Sequence, residues 1–203
     1  MKERRYNLSV RRFLAWVIAI AVAVSILTVP QTESYAAGGK IKTIAVTNLP
    51  AKQLTLKKGK SFTLKTKVTA TGKISKKVAY KSSNKKVATV NAKGKITAKK
   101  KGTATITVYS KADKKKTCKI KVTVGTPVTK VKLNNTKADL NVGKSLTLKT
   151  TLSPKKPSNK GIIWKSSNTK VATVTSKGVV KAKKAGTVTI TATAKDGSGK
   201  KAA

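Results

Sequence analysis

The chain has 203 residues, with 47 lysines and arginines against five aspartates and glutamates, and it contains no histidine. Its one cysteine, Cys118, excludes an intrachain disulfide, and the lack of histidine removes the commonest general base and metal ligand. The formal net charge of +42 favours anionic partners without identifying one.

Residues 1–36 have the composition of an export signal. A basic head that includes Arg11 and Arg12 precedes an uncharged apolar stretch over residues 13–29, and residues 34–36 place small side chains around a cleavage point after Ala36. We therefore predict a secretory signal peptide over residues 1–36. An uncleaved membrane anchor is the alternative, because a span needs about 20 apolar residues. No second apolar run follows, so a membrane contact is expected only through this segment.

Beyond residue 36 the charge is carried by one residue type. The 42 basic residues are all lysines, and the acids are Asp113, Asp139 and Asp196, far apart in sequence. The planar fork of arginine is the usual device for bidentate recognition of phosphate or carboxylate. Its absence from this part of the sequence indicates diffuse attraction to anions rather than a shaped anion site.

An internal repeat with an offset of 84 positions organises the sequence after the signal segment. The matching segments are residues 59–61 with 143–145, 63–66 with 147–150, 81–84 with 165–168, 87–90 with 171–174, 93–94 with 177–178, and 102–103 with 186–187. Solenoid repeats have periods of about 20–50 residues. The longer period predicts two copies of one small domain.

Apolar and polar residues alternate within each copy, which is the period of a half-buried strand. Residues 103–108 alternate threonine with alanine, isoleucine and valine, and residues 118–124 alternate lysine and threonine with isoleucine and valine. Turn residues separate such runs at intervals of about 8–12 residues, which predicts a β-sandwich or barrel. Pro127 cannot donate to a strand ladder and suits a boundary. The predicted modules are residues 41–124 and 128–203.

Two sets of residues carry a resemblance to a known family. They are Tyr80 to Asn84, Val87 to Val90, Gly94 and Gly102-Thr103 in the first copy, and Trp164, Ser166 to Asn168, Val171 to Val174, Gly178 and Gly186-Thr187 in the second. The pattern resembles the bacterial immunoglobulin-like domain, group 2, of exported surface proteins. The resemblance implies an all-β fold, with two tandem immunoglobulin-like β-sandwiches after the signal segment. It implies a spacer or adhesive role and supplies no catalytic residue.

The polar and aromatic motifs have structural interpretations that we favour over functional ones. Trp164 and its match Tyr80 could stack on a sugar ring, but one large aromatic residue is typical of a sandwich core. Ser82, Ser83 and Asn84 could bind a ligand, but such side chains routinely close turns on their own backbone.

The sequence around Cys118 and the repeated glycines also indicates no catalytic or phosphate-binding role. Cys118 shares strand parity with Ile120 and Val122, which places it in the core, and no histidine is present to activate it. Gly94, Gly102, Gly178 and Gly186 are spaced as turn residues rather than as a phosphate-binding loop, so positive φ is expected there. No catalytic, cofactor-binding or metal-binding residue is predicted.

The second copy is shorter than the first at its C-terminal side. The offset matches Ala202 with Cys118 and Ala203 with Lys119, so Ile120 and the residues that follow it have no counterpart. We expect the second module to lack its last strand. Three explanations stay open: a fragment of a longer chain, which we favour, a marginally folded second module, or a strand donated by another chain.

The sequence as a whole predicts a non-enzymatic, secreted or cell-surface spacer or adhesion module without cofactors. Its lysines suggest retention on anionic cell-wall polymers or polysaccharides, with a host or neighbouring-cell surface as a further partner. A larger surface enzyme or adhesin, with its active domain beyond residue 203, is the alternative. Nucleic-acid binding is expected only non-specifically, because arginine and an aromatic platform for bases are lacking.

Overall fold

The computed structural model describes residues 38–203, and the predicted signal peptide lies outside the described residues. Within residues 38–203 the chain forms 17 β-strands and no helix. This part of the chain accordingly has no helix with the length and hydropathy for a membrane span. The predicted all-β fold is confirmed.

Nine strands form the first module. They are β1 (Lys40–Val46), β2 (Gln53–Leu56), β3 (Ser61–Thr63), β4 (Thr66–Thr71), β5 (Val78–Ser82), β6 (Ala88–Val90), β7 (Lys95–Ala98), β8 (Gly102–Ser110) and β9 (Thr117–Val124). The order β2-β9-β8-β5 makes a four-stranded sheet, β3-β7-β6 makes a three-stranded sheet, and β1 pairs with β4. One core, to which β1, β2, β6, β7, β8 and β9 all contribute buried residues, holds these sheets together.

The alternation of residues along β8 and β9 places apolar side chains in the core of this module. Ile106 on β8 and Ile120 and Val122 on β9 are completely buried. Between them, Lys119 and Lys121 point to solvent. Each fully buried side chain of this kind contributes about 1.5–3 kcal/mol. The apolar face of β9 is therefore a major part of the stability of the first module.

β9 also joins β2 to β8 within its sheet. It runs parallel to β2, where Val122 pairs with Leu54, and antiparallel to β8, where Val122 pairs with Ala104. Leu54 and Ala104 are both buried beside it. Without β9, β2 and the N-terminal half of β8 would have no ladder partner on this side.

Eight strands form the second module. They are β10 (Lys130–Leu133), β11 (Ser145–Thr147), β12 (Thr150–Ser153), β13 (Ile162–Ser166), β14 (Ala172–Val174), β15 (Val179–Ala182), β16 (Ile190–Ala194) and β17 (Lys201–Ala202). The sheets are β10-β12, β11-β15-β14 and β13-β16-β17. Trp164 pairs with Ala192, as Tyr80 pairs with Val108 in the first module. The second module therefore repeats the strand register of the first.

The last strand of the second module is reduced to two residues. Ala202 on β17 pairs with Ala192, which reproduces the pairing of Cys118 with Val108 at the start of β9. The predicted match of Ala202 with Cys118 is thus confirmed. The expectation that the strand is lacking needs one correction, because its first two residues do form a ladder. The remaining six residues of β9 have no paired counterpart within the described part of the chain.

This difference divides the core of the second module. The first module has one cluster of 17 buried apolar residues. The second has two smaller clusters, one around Val128, Val131 and Ala192 and one around Leu148 and Val180. Trp164 packs partly buried against both clusters. Since Ile120, Val122 and Val124 lie within the single cluster of the first module, the shortened β17 accounts for the division.

Candidate functional site

Nearly all lysines of residues 38–203 are exposed, and together we call them the lysine surface. All are solvent-exposed except Lys116 and Lys195, which are half-buried. They lie on strands and turns of both modules, because alternation along each strand sends them outward. Their charges are spread over the molecule and are not gathered in one pocket.

The three acidic residues lie apart and have different surroundings. Oδ1 of Asp113 accepts a hydrogen bond from the N–H of Lys115 within a turn, at 3.0 Å. Asp139 is exposed, and Asp196 is completely buried. Within residues 38–203 no three histidine, cysteine, aspartate or glutamate residues come together as metal ligands would. Each of the three acids therefore stands alone, and they do not combine into one site.

The repeated Ser-Ser-Asn segment is a turn, as predicted. The Ser82 hydroxyl donates to the carbonyl of Ala88 at 2.6 Å and accepts the N–H of Asn84 at 3.2 Å. Ser166 repeats the first bond with Ala172 at 2.7 Å. Because these hydroxyls are buried and already paired within the turn, they are not free to bind a ligand.

The two matched aromatic residues are half-buried and pack against the cores of their modules, as the predicted packing role requires. Tyr80 packs against the first core, and Trp164 packs against both clusters of the second. Each ring also covers a glycine. A Cβ on Gly94 would lie 2.9 Å from the Tyr80 ring, and a Cβ on Gly178 would lie 2.8 Å from the Trp164 ring. The sequence analysis missed this contact between aromatic residue and glycine, although both occur at matched positions of the repeat.

Cys118 and the repeated glycines also behave as predicted. The Cys118 side chain is buried, and the thiol is free. Gly94, Gly102, Gly178 and Gly186 all have positive φ. These residues support the fold and present no reactive group to solvent.

Asp196 lies at the joint between the two modules. Its Oδ2 accepts the N–H of buried Val128 at 2.6 Å, and its backbone carbonyl accepts the N–H of Thr55 on β2 at 2.7 Å. Beside it, Nδ2 of Asn159 donates to Oε1 of Gln53 at 2.6 Å. Hydrogen bonds from the second module to β2 of the first therefore restrict rotation at the linker. Spacing in sequence gave no signal of this role.

We expect Asp196→Ala to loosen the joint. The N–H of Val128 would stay buried without an acceptor, which costs about 1–3 kcal/mol. Hydrogen exchange should then be faster at the Val128 amide, whereas the Thr55 amide keeps its acceptor, the backbone carbonyl of residue 196. Asp113→Ala is the control, because it removes a carboxylate from a solvent-exposed turn. Unchanged exchange at Val128 in Asp196→Ala would contradict this account of the joint.

An open cleft of about 750 Å³ lies in the second module. The residues that line it include 137–140 and 186–190, which we call its two walls, and Ala203. Leu148 and Val180 are among the apolar residues that line it. The cleft thus opens onto one of the two apolar clusters of this module.

A family model matches both modules. The model for the bacterial Ig-like domain (group 2) aligns with residues 42–120 and again with residues 127–203. Together the two matches include most of the chain.

Parts of the chain are similar to segments of much longer proteins. A stretch of 69 residues is 51% identical to kappa-carrageenase of Pseudoalteromonas carrageenovora, covering 34% of this chain and 17% of that protein. A stretch of 57 residues is 53% identical to 3-O-alpha-D-galactosyl-alpha-L-arabinofuranosidase of Bifidobacterium longum subsp. longum, covering 28% and 5% respectively. The chain therefore matches less than a fifth of the length of these relatives.

Solved structures that align with parts of this chain have low sequence identity and low TM-scores. Domains 5–6 of the S-layer protein SbsC align over 76% of this chain and 91% of that chain, at 20% identity and a TM-score of 0.37. An intimin mutant of EHEC O157:H7 aligns over 48% of this chain and 50% of that chain, at 21% identity and a TM-score of 0.27.

Proposed function

The chain belongs to the bacterial Ig-like domain (group 2) family, as the resemblance of its motifs indicated, and on that premise we propose that it is a non-catalytic spacer or adhesion module at the cell surface. In this proposal, the lysine surface holds the protein to anionic polymers of the cell envelope. The observation that carries it is the exposure of lysines over both modules, with the few acids of residues 38–203 either buried or isolated.

The joint between the modules supports the spacer part of the proposal. A spacer has to keep its domains apart from the surface that carries them, and free rotation at each linker would shorten its average reach. Here, hydrogen bonds from Asp196 and Asn159 tie the second module to β2 of the first. Tandem modules connected in this way keep their direction better than modules on a flexible linker.

The distribution of charge supports the binding part. A net charge of +42 on 203 residues destabilises the folded chain by self-repulsion, and counter-anions relieve that repulsion. Lysine is a compact point charge without the fork of arginine, so it attracts phosphate and carboxylate groups without fixing their orientation. Binding of this kind depends on the number of lysines near the polymer and weakens strongly with salt.

Two triple substitutions test whether binding is diffuse. Lys99, Lys100 and Lys101 are exposed on one turn of the first module, and Lys155, Lys156 and Lys160 are exposed between β12 and β13 of the second. We expect either triple change to glutamine to weaken binding to purified teichoic acid by a similar factor, about threefold to tenfold near physiological salt. Sedimentation of the full chain with teichoic acid over a salt series measures the effect.

Neutral dextran of matched length is the control polymer. A large loss for one triple with no loss for the other would contradict diffuse attraction and indicate a localised site. Binding to teichoic acid that does not change with salt would contradict an electrostatic origin altogether.

The similarity to two glycosidases favours a second candidate function, a module that accompanies a carbohydrate-active domain. Segments of this chain are more than 50% identical to segments of those enzymes. Sequencing of the coding region on both sides of residues 1–203 tests this candidate. A catalytic domain in the same reading frame would support it, and further repeats with a surface-anchoring signal would favour the spacer.

A further inference from the structure

The parallel pair of β2 and β9 lies on the path that tension takes through the first module. The chain enters this module through β1 and β2 and leaves it through β9. Once β1 has separated from β4, a pull on both ends draws β2 toward its N-terminal end and β9 toward its C-terminal end. Because the two strands are parallel, they must slide along each other, and this loads the hydrogen bonds of their ladder together.

Hydrogen bonds close this ladder at both ends and leave the other edge of β2 free. The N–H of Lys121 donates to the carbonyl of Lys52 at 3.0 Å, and the N–H of Gly125 donates to the carbonyl of Leu56 at 2.9 Å. In a parallel ladder, alternate residues direct their backbone groups toward the partner strand, so the N–H of Thr55 faces away from β9. β2 is the outermost strand of its sheet, and this N–H lies on its outer edge.

The second module covers the outer edge of β2. The backbone carbonyl of Asp196 accepts the N–H of Thr55 at 2.7 Å. Gly197 lies against the same edge, since a Cβ there would be 2.8 Å from the carbonyl oxygen of Gln53 and 2.8 Å from Cδ2 of Leu49. Thr55 is consequently only 4% exposed, although it lies on an edge strand. We call Asp196 and Gly197 the brace of β2.

Under tension the brace moves with β9 and not with β2. Residues 125–127 connect β9 to the second module. This connection is held to the second module by Thr126, whose N–H donates to Oγ of Ser158 at 2.8 Å and whose carbonyl accepts the N–H of Ser158 at 2.8 Å. Tension therefore draws both neighbours of β2, β9 and the brace, away from it in the same direction. Sliding β2 free breaks the hydrogen bond from Thr55 to Asp196 together with the ladder.

We propose that the second module strengthens the first module against tension by bracing the outer edge of β2. Such strengthening serves the proposed spacer role, on which this inference rests, because a spacer carries the load between a cell and the surface that it contacts. Bonds that are loaded side by side share the force. The brace thus lowers the rate at which the first module unfolds under load, which is the rate that governs forced unfolding.

Optical tweezers measure this rate on the full chain. Handles are attached through azide-bearing residues at positions 38 and 130, which are both exposed and flank the first module, so the second module stays attached but carries no load. Unfolding of the first module releases about 300 Å of chain, which identifies the event. The lifetime at constant force gives the unfolding rate.

Two glycines of one turn provide a matched pair of variants. Gly197→Ala places a methyl group against β2 and should raise the rate of forced unfolding about tenfold, through loss of the hydrogen bond and the contacts of the brace. Gly199 has a φ of +72°, against +76° for Gly197, but a Cβ on Gly199 would meet no atom within 4 Å. Gly199→Ala has the same backbone cost without the clash and should leave the rate unchanged.

Gln53→Ala is a second variant, and it leaves the sequence of the second module intact. It removes the oxygen that accepts the side-chain N–H of Asn159 at 2.6 Å, while the backbone of β2 keeps its ladder. The rate of forced unfolding should rise about threefold. Hydrogen exchange on β16 reports whether the second module stays folded in each variant, and Gln53→Ala decides the test if Gly197→Ala unfolds it.

The combination of lifetimes separates the outcomes. Shorter lifetimes for Gly197→Ala and Gln53→Ala, with an unchanged lifetime for Gly199→Ala, support the brace. Unchanged lifetimes for Gly197→Ala and Gln53→Ala would overturn it. Equal shortening by Gly197→Ala and Gly199→Ala would also overturn it, because strain within the turn would then be the cause. No polymer is present in this experiment, so a failure to bind teichoic acid would count against the proposed function alone.

Discussion

Appending Ile-Lys-Val-Thr-Val-Gly directly after Ala203 is expected to raise the free energy of unfolding of the second module by about 2–4 kcal/mol. This segment repeats residues 120–125, which continue β9 in the first module. Three newly buried apolar side chains supply the gain, at about 1.5–3 kcal/mol each, and the loss of conformational entropy of the added residues reduces it. Ladder hydrogen bonds to both walls of the cleft add to the gain.

Urea unfolding followed by the fluorescence of Trp164 measures this change. Trp164 packs against both clusters of the second module and reports on them directly. The other tryptophan, Trp16, is changed to phenylalanine in every variant so that it does not contribute. The appended control Lys-Ile-Thr-Val-Gly-Val has the same composition, with its apolar residues on the opposite face of the strand. An equal unfolding midpoint for both extensions would contradict the proposed role of the alternating face.

The strands and the core were predictable because alternation is a local signal. Ile120 and Val122 share a parity over a run with lysine at every second position, and both are completely buried. The repeat offset also matched Ala202 with Cys118, and these two residues take equivalent places in their ladders. Parity is read along one segment, and the offset is read by comparing two segments of the sequence. Neither needs knowledge of the sheet arrangement.

The joint and the cleft were not predictable from these signals. Asp196 pairs with Val128 and Thr55, which lie far from it in sequence, and the offset gives no acidic match for it in the first module, where Ala112 stands. Alternation shows which side of a strand is buried. It does not show which strands are neighbours, so it gave no sign that residues 137–140 and 186–190 line one cleft.

We expect Gly178→Ala to lower the free energy of unfolding of the second module by about 3 kcal/mol. The reason lies in the atoms that surround Gly178. Gly178 has a φ of +84°, and a Cβ there would lie 2.5 Å from the carbonyl oxygen of Leu148 and 2.8 Å from Cζ2 of Trp164. The positive φ costs an alanine about 1–2 kcal/mol, and overpacking against the backbone and ring costs about 1–3 kcal/mol more.

Gly143→Ala separates these two costs in the same module. Gly143 has the same φ of +84°, but a Cβ there would meet no atom within 4 Å. We therefore expect Gly143→Ala to lose only about 1–2 kcal/mol, from the backbone conformation alone. Urea unfolding followed by Trp164 fluorescence compares the two variants. Equal losses would show that the Trp164 ring moves aside at no cost, and the glycine under the aromatic residue would then be required for its backbone conformation and not for space.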